Sequence, residues 1–438
     1  MKAGMLPVLV SVQVCFSLVA CGSARAESSA SPPHVEARVK QSFARSARWI
    51  RSFGTEFSDN IDAVACDGLG NIYVVGGFAS TEHDQIGYLT QALRKYNDMG
   101  EVVWKRQYGM DAAGLEDQAV TTDGAGNVIT LGRLAHQEFS SPSSYMIKYD
   151  GAGSEIWRKT VDFDVSDMAA DKDDGVYAVG RTELATANPS RTESTGLLRK
   201  LGAGGVESWS RLLGPDVRCM SLKVAVGTNG LVYVVGSIKG VLSGESNAGG
   251  LDLFVRAYTV MGEEVWTRQF GTDKNESIDD AAVDGAGNIY VAFHDEYPSL
   301  TGFDASGSRL WARPLDTRTK TCATCNRPSI ALATDGGHYL YVLLSQPSPR
   351  VPGEQPGESL YVRDHADVRK LDATGGAVWF REFPSRWSGL PNAIAIDQSG
   401  NVYLGGGSND AFPDDAQAFG AASYELGGGD VFILKMKP

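Results

Sequence analysis

The chain has 438 residues, 42% of them apolar, enough to bury a large core as one big all-β domain or as two or three ordinary ones. That apolar content excludes a disordered polymer. A formal net charge of -13 gives an acidic surface, the wrong footprint for phosphate backbones, so no nucleic-acid partner is expected.

The chain opens on "MKAGMLPVLVSVQVCFSLVAC", a basic start at Lys2 and an apolar run from Leu6 to Ala20 that is too short to span a bilayer and has the form of a secretory signal. Residues 1–20 are therefore set apart from the fold. The run ends in Leu18-Val19-Ala20-Cys21, which resembles the lipobox of bacterial lipoproteins; the resemblance implies cleavage before Cys21 and a lipid on its thiol. The alternative is ordinary cleavage after Ala24-Arg25-Ala26 and a secreted protein. Gly22 stands where an Asp would resemble an inner-membrane retention signal, so the resemblance implies an outer-membrane lipoprotein, held to the membrane by its lipid alone. Residues 21–44, rich in Ser, Ala and Pro, read as a polar tether. Everything beyond lies outside the cytoplasm, where thiols oxidise.

Residues 45–438 are repetitive. Trp49, Trp104, Trp157, Trp209, Trp266, Trp311 and Trp379 recur at spacings of 45 to 68 residues, each opening a run such as "WIRSFG", "WKRQYG" or "WTRQFG". Trp, a basic residue and an apolar residue at i, i+2 and i+4 share one face of a strand. Each Trp strand is followed by a loop and a small-residue strand such as "DAVAC" or "NAIAI". Next come an Asp-x-x-Gly-Asn bend, a "YVVGG" strand, a longer loop and a strand such as "ALRKY" or "YMIKY". Four strands per unit and seven units predict an all-β fold, a seven-bladed β-propeller of four-stranded antiparallel blades. The chain ends on a third strand, "DVFILKMKP", and begins on a fourth, "ARWIRSFG". The N-terminal strand thus completes the C-terminal blade and closes the ring; the alternative, a linear array, leaves both edges exposed.

In the bends "DGLGNIYV", "DGAGNVIT", "DGAGNIYV" and "DQSGNVYL", Gly supplies positive φ and Asp or Asn bonds nearby backbone, a hairpin device rather than a Ca²⁺ loop of alternating acidic ligands. The units "AVDGAGNIYVAF" and "AIDQSGNVYLGG", with "AFPDDAQAFGAASYELGGGDVFILK" after them, resemble the bacterial seven-bladed propeller repeat family, often abbreviated SBBP. The resemblance spans roughly residues 47–438 and implies the propeller fold and an extracytoplasmic binding or surface role. "DKDDGVYAVG", "GTNGLVYVVG" and "TDGGHYLYVLLS" lose the bend Asn, which puts those bends in question.

Function is expected where the seven-fold pattern breaks. The bends share one face, and the long dissimilar loops (181–196, 237–250, 315–328, 345–367 and 407–429) share the other, which reads as the binding face. At its centre should lie the residues just after each second strand: Gly77, Arg133, Arg181, Ser237, His294, Ser345 and Gly407. Opposite them stand Asp62, Gln118, Ser166, Asp279 and Asn392. Arg133, Arg181, His294, Asp62 and Asp279 suit an anionic or sugar ligand held by bidentate contacts; the alternative is a rim of mutually paired charges.

His83, His136, His294 and His365 read as members of second-to-third strand loops, with acidic neighbours but no local metal-ligand spacing. No cofactor is expected, and a divalent metal at the channel mouth has no motif to hold it. Cys322 and Cys325, outside the cytoplasm and without the His of a haem-attachment motif, read as a local disulfide. Cys66 and Cys219, on inner strands of different blades, read as buried thiols. The resulting expectation is a monomer that binds an envelope protein, a glycan or a small ligand without catalysis. The alternative is a lyase or hydrolase acting on glycan or peptide at the channel mouth, supported by analogy of fold alone.

Overall fold

The computed structural model describes residues 12–13, 47–54, 59–79, 89–108, 115–134, 144–184, 193–214, 218–315, 328–346, 365–383, 389–408 and 430–437. Six antiparallel sheets take four consecutive strands each. The seventh joins Gly389–Ile396, Val402–Ser408 and Asp430–Met436 to Ala47–Phe53, in a register running from Ala47↔Met436 to Phe53↔Val431. The ring is therefore closed by the N-terminal strand, which covers the edge of Asp430–Met436. First strands of successive blades touch one another all the way round, so they form the inner wall. Val12–Gln13 adds a two-residue ladder to that wall, pairing with Val64 and Ala63.

Side chains of each blade alternate between its two faces, and the core lies in the clefts between blades. The tryptophans do more than fill these clefts. Trp49, Trp104, Trp157, Trp209, Trp266 and Trp311 each donate Nε1–H to a carbonyl in the third-to-fourth strand turn of the next blade (Asp98, Gly151, Ala203, Val260, Ala305 and Ala373), at 2.8 to 3.1 Å. Two residues on, Arg51, Arg106, Arg211 and Arg268 donate Nε–H to a glycine carbonyl of the same turn. Those glycines sit at positive φ, and the bare Cα receives the indole: a Cβ on Gly262 would stand 2.9 Å from the ring of Trp209. The seventh pair faces the ring closure, where the turn is replaced by the chain ends, and Arg381 there donates to the Lys437 carbonyl.

The bends are equally regular. In blade 1, Asp67 accepts the amides of Leu69 and Asn71 on Oδ1, and the Asn71 amide group and Tyr73 hydroxyl on Oδ2. With its lone pairs so occupied, the bend carboxylate has no vacancy for a cation. The three bends without Asn keep their shape by substitution. Asp174, at φ 65, takes the left-handed position in blade 3; Asn229 holds blade 4; Asp335 with Gly336 holds blade 6. In blade 2, Ile129 replaces the tyrosine, and Lys148 reaches Asp123 directly at 2.6 Å, both side chains fully buried.

Candidate functional site

The channel rim is built by a repeated β-bulge in the inner strand. Register breaks at Asp117/Ala119, Val165/Asp167, Ile278/Asp280 and Pro391/Ala393 leave Gln118, Ser166, Asp279 and Asn392 as extra residues. Asp62 holds the same place in blade 1, where the Asn60 amide bonds the Gly77 carbonyl and that of Asp62 bonds Val75. A bulge re-aims its extra residue and bends the strand. It also explains the glycine of the "YVVGG" strand, since a Cβ on Gly180 would stand 2.0 Å from the Asp164 carbonyl oxygen. All five residues expected opposite the second strands are thus bulge residues.

The residues expected just beyond the second strands lie within them. Arg133 belongs to Val128–Leu134, Arg181 to Val176–Leu184, and His294 ends Ile289–His294. His294 and His365 are therefore strand residues rather than loop residues, His294 because a connection of only 295–297 leads to Pro298, its cross-strand partner, and His365 because it begins His365–Leu371, opposite Gln346. His83, His136, Cys21, Cys322 and Cys325 lie outside the described residues. Cys66 and Cys219 are free, buried thiols, and burial raises both above the usual thiol range.

Two clusters emerge on the rim. Arg133 Nη2 and Arg181 Nη2 each lie 3.0 Å from one oxygen of Asp164, which opens the inner strand of blade 3. The arginines are 45% and 40% exposed and the carboxylate 13%, so two guanidinium groups flank a single anion and keep donors toward solvent. Pairs this exposed contribute about 0–1 kcal/mol each and open readily to a better anion. Sequence reasoning missed Asp164; its signal is the cross-strand partner of Arg181. In blade 5, His294 Nδ1 contacts Asp279 Oδ2, with the imidazole buried and the carboxylate half-buried. Asp62 accepts from Asn60 Nδ2 at 2.5 Å. Asn392 donates to the Ile61 carbonyl, across the ring closure.

A further break lies just below the rim. Four residues before the first residue of each bend, blades 1, 2, 6 and 7 carry Ala63, Ala119, Ala331 and Ala393, whereas blades 3, 4 and 5 carry Asp167, Lys223 and Asp280, all buried. Each carboxylate accepts an inner-strand amide of the following blade, Val224 at 2.9 Å and Leu332 at 2.7 Å. Such an amide has no strand partner on the channel side, so the carboxylate satisfies it. Lys223 Nζ lies 4.0 Å from Asp280. Burial raises Asp167 above the usual carboxylate range and pushes Asp280 up to about 7. Among the described residues no group of three or more His, Cys, Asp or Glu side chains is placed to hold a metal.

No protein-family model matches the chain. Among curated proteins it is similar to Regulatory protein FlaEY of Caulobacter vibrioides, with 27% identity over 37% of this chain and 19% of that protein, so it spans about a fifth of that relative. Solved structures with a similar arrangement include the Dos1 propeller (TM-score 0.44, 9% identity, 89% of this chain and 91% of that one). Others are the GH93 α-L-arabinofuranosidase of Fusarium graminearum (0.44, 12%, 68% and 88%) and the C-terminal WD40 domain of Sif2 (0.41, 8%, 88% and 96%). At these scores the likenesses carry no argument about activity.

Proposed function

We propose that the chain is an extracytoplasmic propeller of the SBBP type that binds an anionic ligand, a glycan or an envelope protein through its variable face, without catalysis. The observation that supports this reading best is Arg133–Asp164–Arg181: two half-exposed guanidinium groups on one carboxylate, on the face opposite the repeated bends. On the other face the bends are held by their own Asp side chains and the third-to-fourth turns by the Trp of the preceding blade, which leaves the variable face as the one able to differ between relatives. In the same proposal Cys21 carries the lipid, residues 21–44 tether a monomer to the outer membrane, and removal of residues 1–20 frees the wall at Ala63 and Val64.

The test is a thermal-shift screen of the full chain against dicarboxylates, uronic-acid oligosaccharides and neutral glycans, repeated with Arg133→Ala/Arg181→Ala and with Leu69→Ala on the opposite face. Stabilisation by an acidic ligand that survives Leu69→Ala and disappears in the double variant supports the proposal. A shift that survives the double variant places binding elsewhere.

His294 against Asp279 supports a second reading, a hydrolase or lyase with the imidazole as base. Its burial keeps it second, because a base must reach its substrate. Turnover of a glycan or peptide panel by the wild type and not by His294→Ala would promote it.

A further inference from the structure

Blade 4 carries a well-packed loop between its second and third strands. Residues 240–251 join Leu231–Lys239 to Asp252–Thr259, and residues 271–276 lead from Glu264–Phe270 into blade 5. The two segments are stitched together. Gly250 donates its amide to the Lys274 carbonyl at 3.0 Å, Glu276 to Leu251 at 2.9 Å, and Leu251 to Asn275 Oδ1 at 2.9 Å. Leu242 is buried beneath them, and the Gln269 side chain donates to Gly240 and to Asp252.

This frame immobilises two acidic side chains that water does not reach. Asp252 is 0% exposed and Glu276 1%. One oxygen of each is fixed by donors: Asp252 Oδ2 by the Ala248 amide and Gln269 Nε2, Glu276 Oε1 by the Thr272 amide and hydroxyl. The other oxygens, Asp252 Oδ1 and Glu276 Oε2, are buried without a hydrogen-bond partner. Both converge on the bare Cα of Gly271, where a Cβ would stand 2.5 Å from Glu276 Oε2 and 2.8 Å from Asp252 Oδ1. No described Lys or Arg pairs with either, and Lys274, two residues before Glu276, is held by Glu296 at 2.6 Å.

Two buried, neighbouring carboxylates without a counter-charge are costly, and their locked second oxygens keep the partnerless ones presented together. We propose that Asp252 Oδ1 and Glu276 Oε2 are ligands of a calcium ion bound between the 240–251 and 271–276 segments. The donors are all oxygen, and the flanking sequences "SGESNAGGLD" and "GTDKNE" supply peptide carbonyls that glycine lets approach closely. A hard cation completes its shell with carbonyl oxygens, whereas zinc would want a third or fourth His, Cys or carboxylate. Glu245, Asp273 and Asp295 in the adjoining loops add negative potential. Two carboxylates place the site in the weak class, about 10⁻⁴–10⁻³ M. The site would brace the blade 4 loop on the variable face.

The test uses the EDTA-treated full chain, titrated with CaCl2 by calorimetry and by thermal melting at pH 7.5 and constant ionic strength. Calcium is expected to bind one site and to raise the melting midpoint by about 3 °C at a hundredfold excess over Kd. The effect should vanish in Asp252→Asn, Glu276→Gln and Gly271→Ala, and persist in Arg133→Ala/Arg181→Ala. Absence of calorimetric binding to the wild type overturns the proposal without reference to any variant. So does a calcium shift retained by both isosteric variants. A wild type that ignores calcium but gains stability on acidification, as Glu276→Gln does at pH 7.5, identifies a shared proton as the occupant instead.

Discussion

Gly230 and Gly262 belong to the same blade and have nearly the same backbone, φ 79° and φ 80°, yet they face different surroundings. A Cβ on Gly230 meets nothing within 4 Å, whereas one on Gly262 stands 2.9 Å from the ring of Trp209. Gly230→Ala should therefore cost only the left-handed conformation, about 1–2 kcal/mol. Gly262→Ala bears the same cost and also lifts Trp209 off the turn, straining its 3.1 Å bond to the Val260 carbonyl and the 2.8 Å bond from Arg211 to the Gly262 carbonyl. Two weakened hydrogen bonds and a displaced indole add about 2 kcal/mol, so Gly262→Ala should be the more damaging by roughly that amount. Urea unfolding followed by tryptophan fluorescence would read the difference as separated midpoints at equal slope. Equal midpoints would refute the claim that each indole is seated on the next blade's glycine.

Other expectations come from buried charge. Lys148→Met should destabilise by about 3–5 kcal/mol, because it leaves the buried Asp123 carboxylate without its cation, and Lys148→Met/Asp123→Asn should recover part of the loss in the same urea assay. Burial raises Asp280 to about 7, so the folded state binds more protons than the unfolded chain between about pH 4 and 7, and the stability that this group contributes falls as pH rises through that window. Melting curves of Asp280→Asn should lack that decline; an unchanged pH profile would remove Asp280 as its source. Iodoacetamide should leave Cys66 and Cys219 unlabelled in the native chain and label both in denaturant, as read by peptide mass spectrometry.

The fold was legible because a ring of blades must repeat its contacts. The Trp column, the bend Asp and the glycine of the second strand each recur for a local geometric reason, and the split seventh blade announced closure. Asp62, Gln118, Ser166, Asp279 and Asn392 were legible as positions facing the second strands, but not as bulges: the sequence pattern puts them at the start of the inner strands, whereas Gln118, Ser166, Asp279 and Asn392 lie inside them, where the register breaks. What escaped depends on contacts between distant segments. Trp49 and Asp98 are partners only once blades pack, and Asp164 is visible as a bridge only when Arg133 is brought to it from the neighbouring blade. Asp252 and Glu276 lie on separate loops, and nothing in their local spacing links them. His294 was displaced from loop to strand because three residues suffice to turn blade 5.

The most direct test of the binding-face account is site-specific photo-crosslinking in the envelope of cells that express the full chain, with the reactive residue at Glu183 beside Arg181, or at the exposed Leu69 on the bend face. The account predicts adducts from position 183 that Arg133→Ala/Arg181→Ala abolishes, and none from position 69. Adducts from position 69 alone would contradict it and move the function to the face built from repeats.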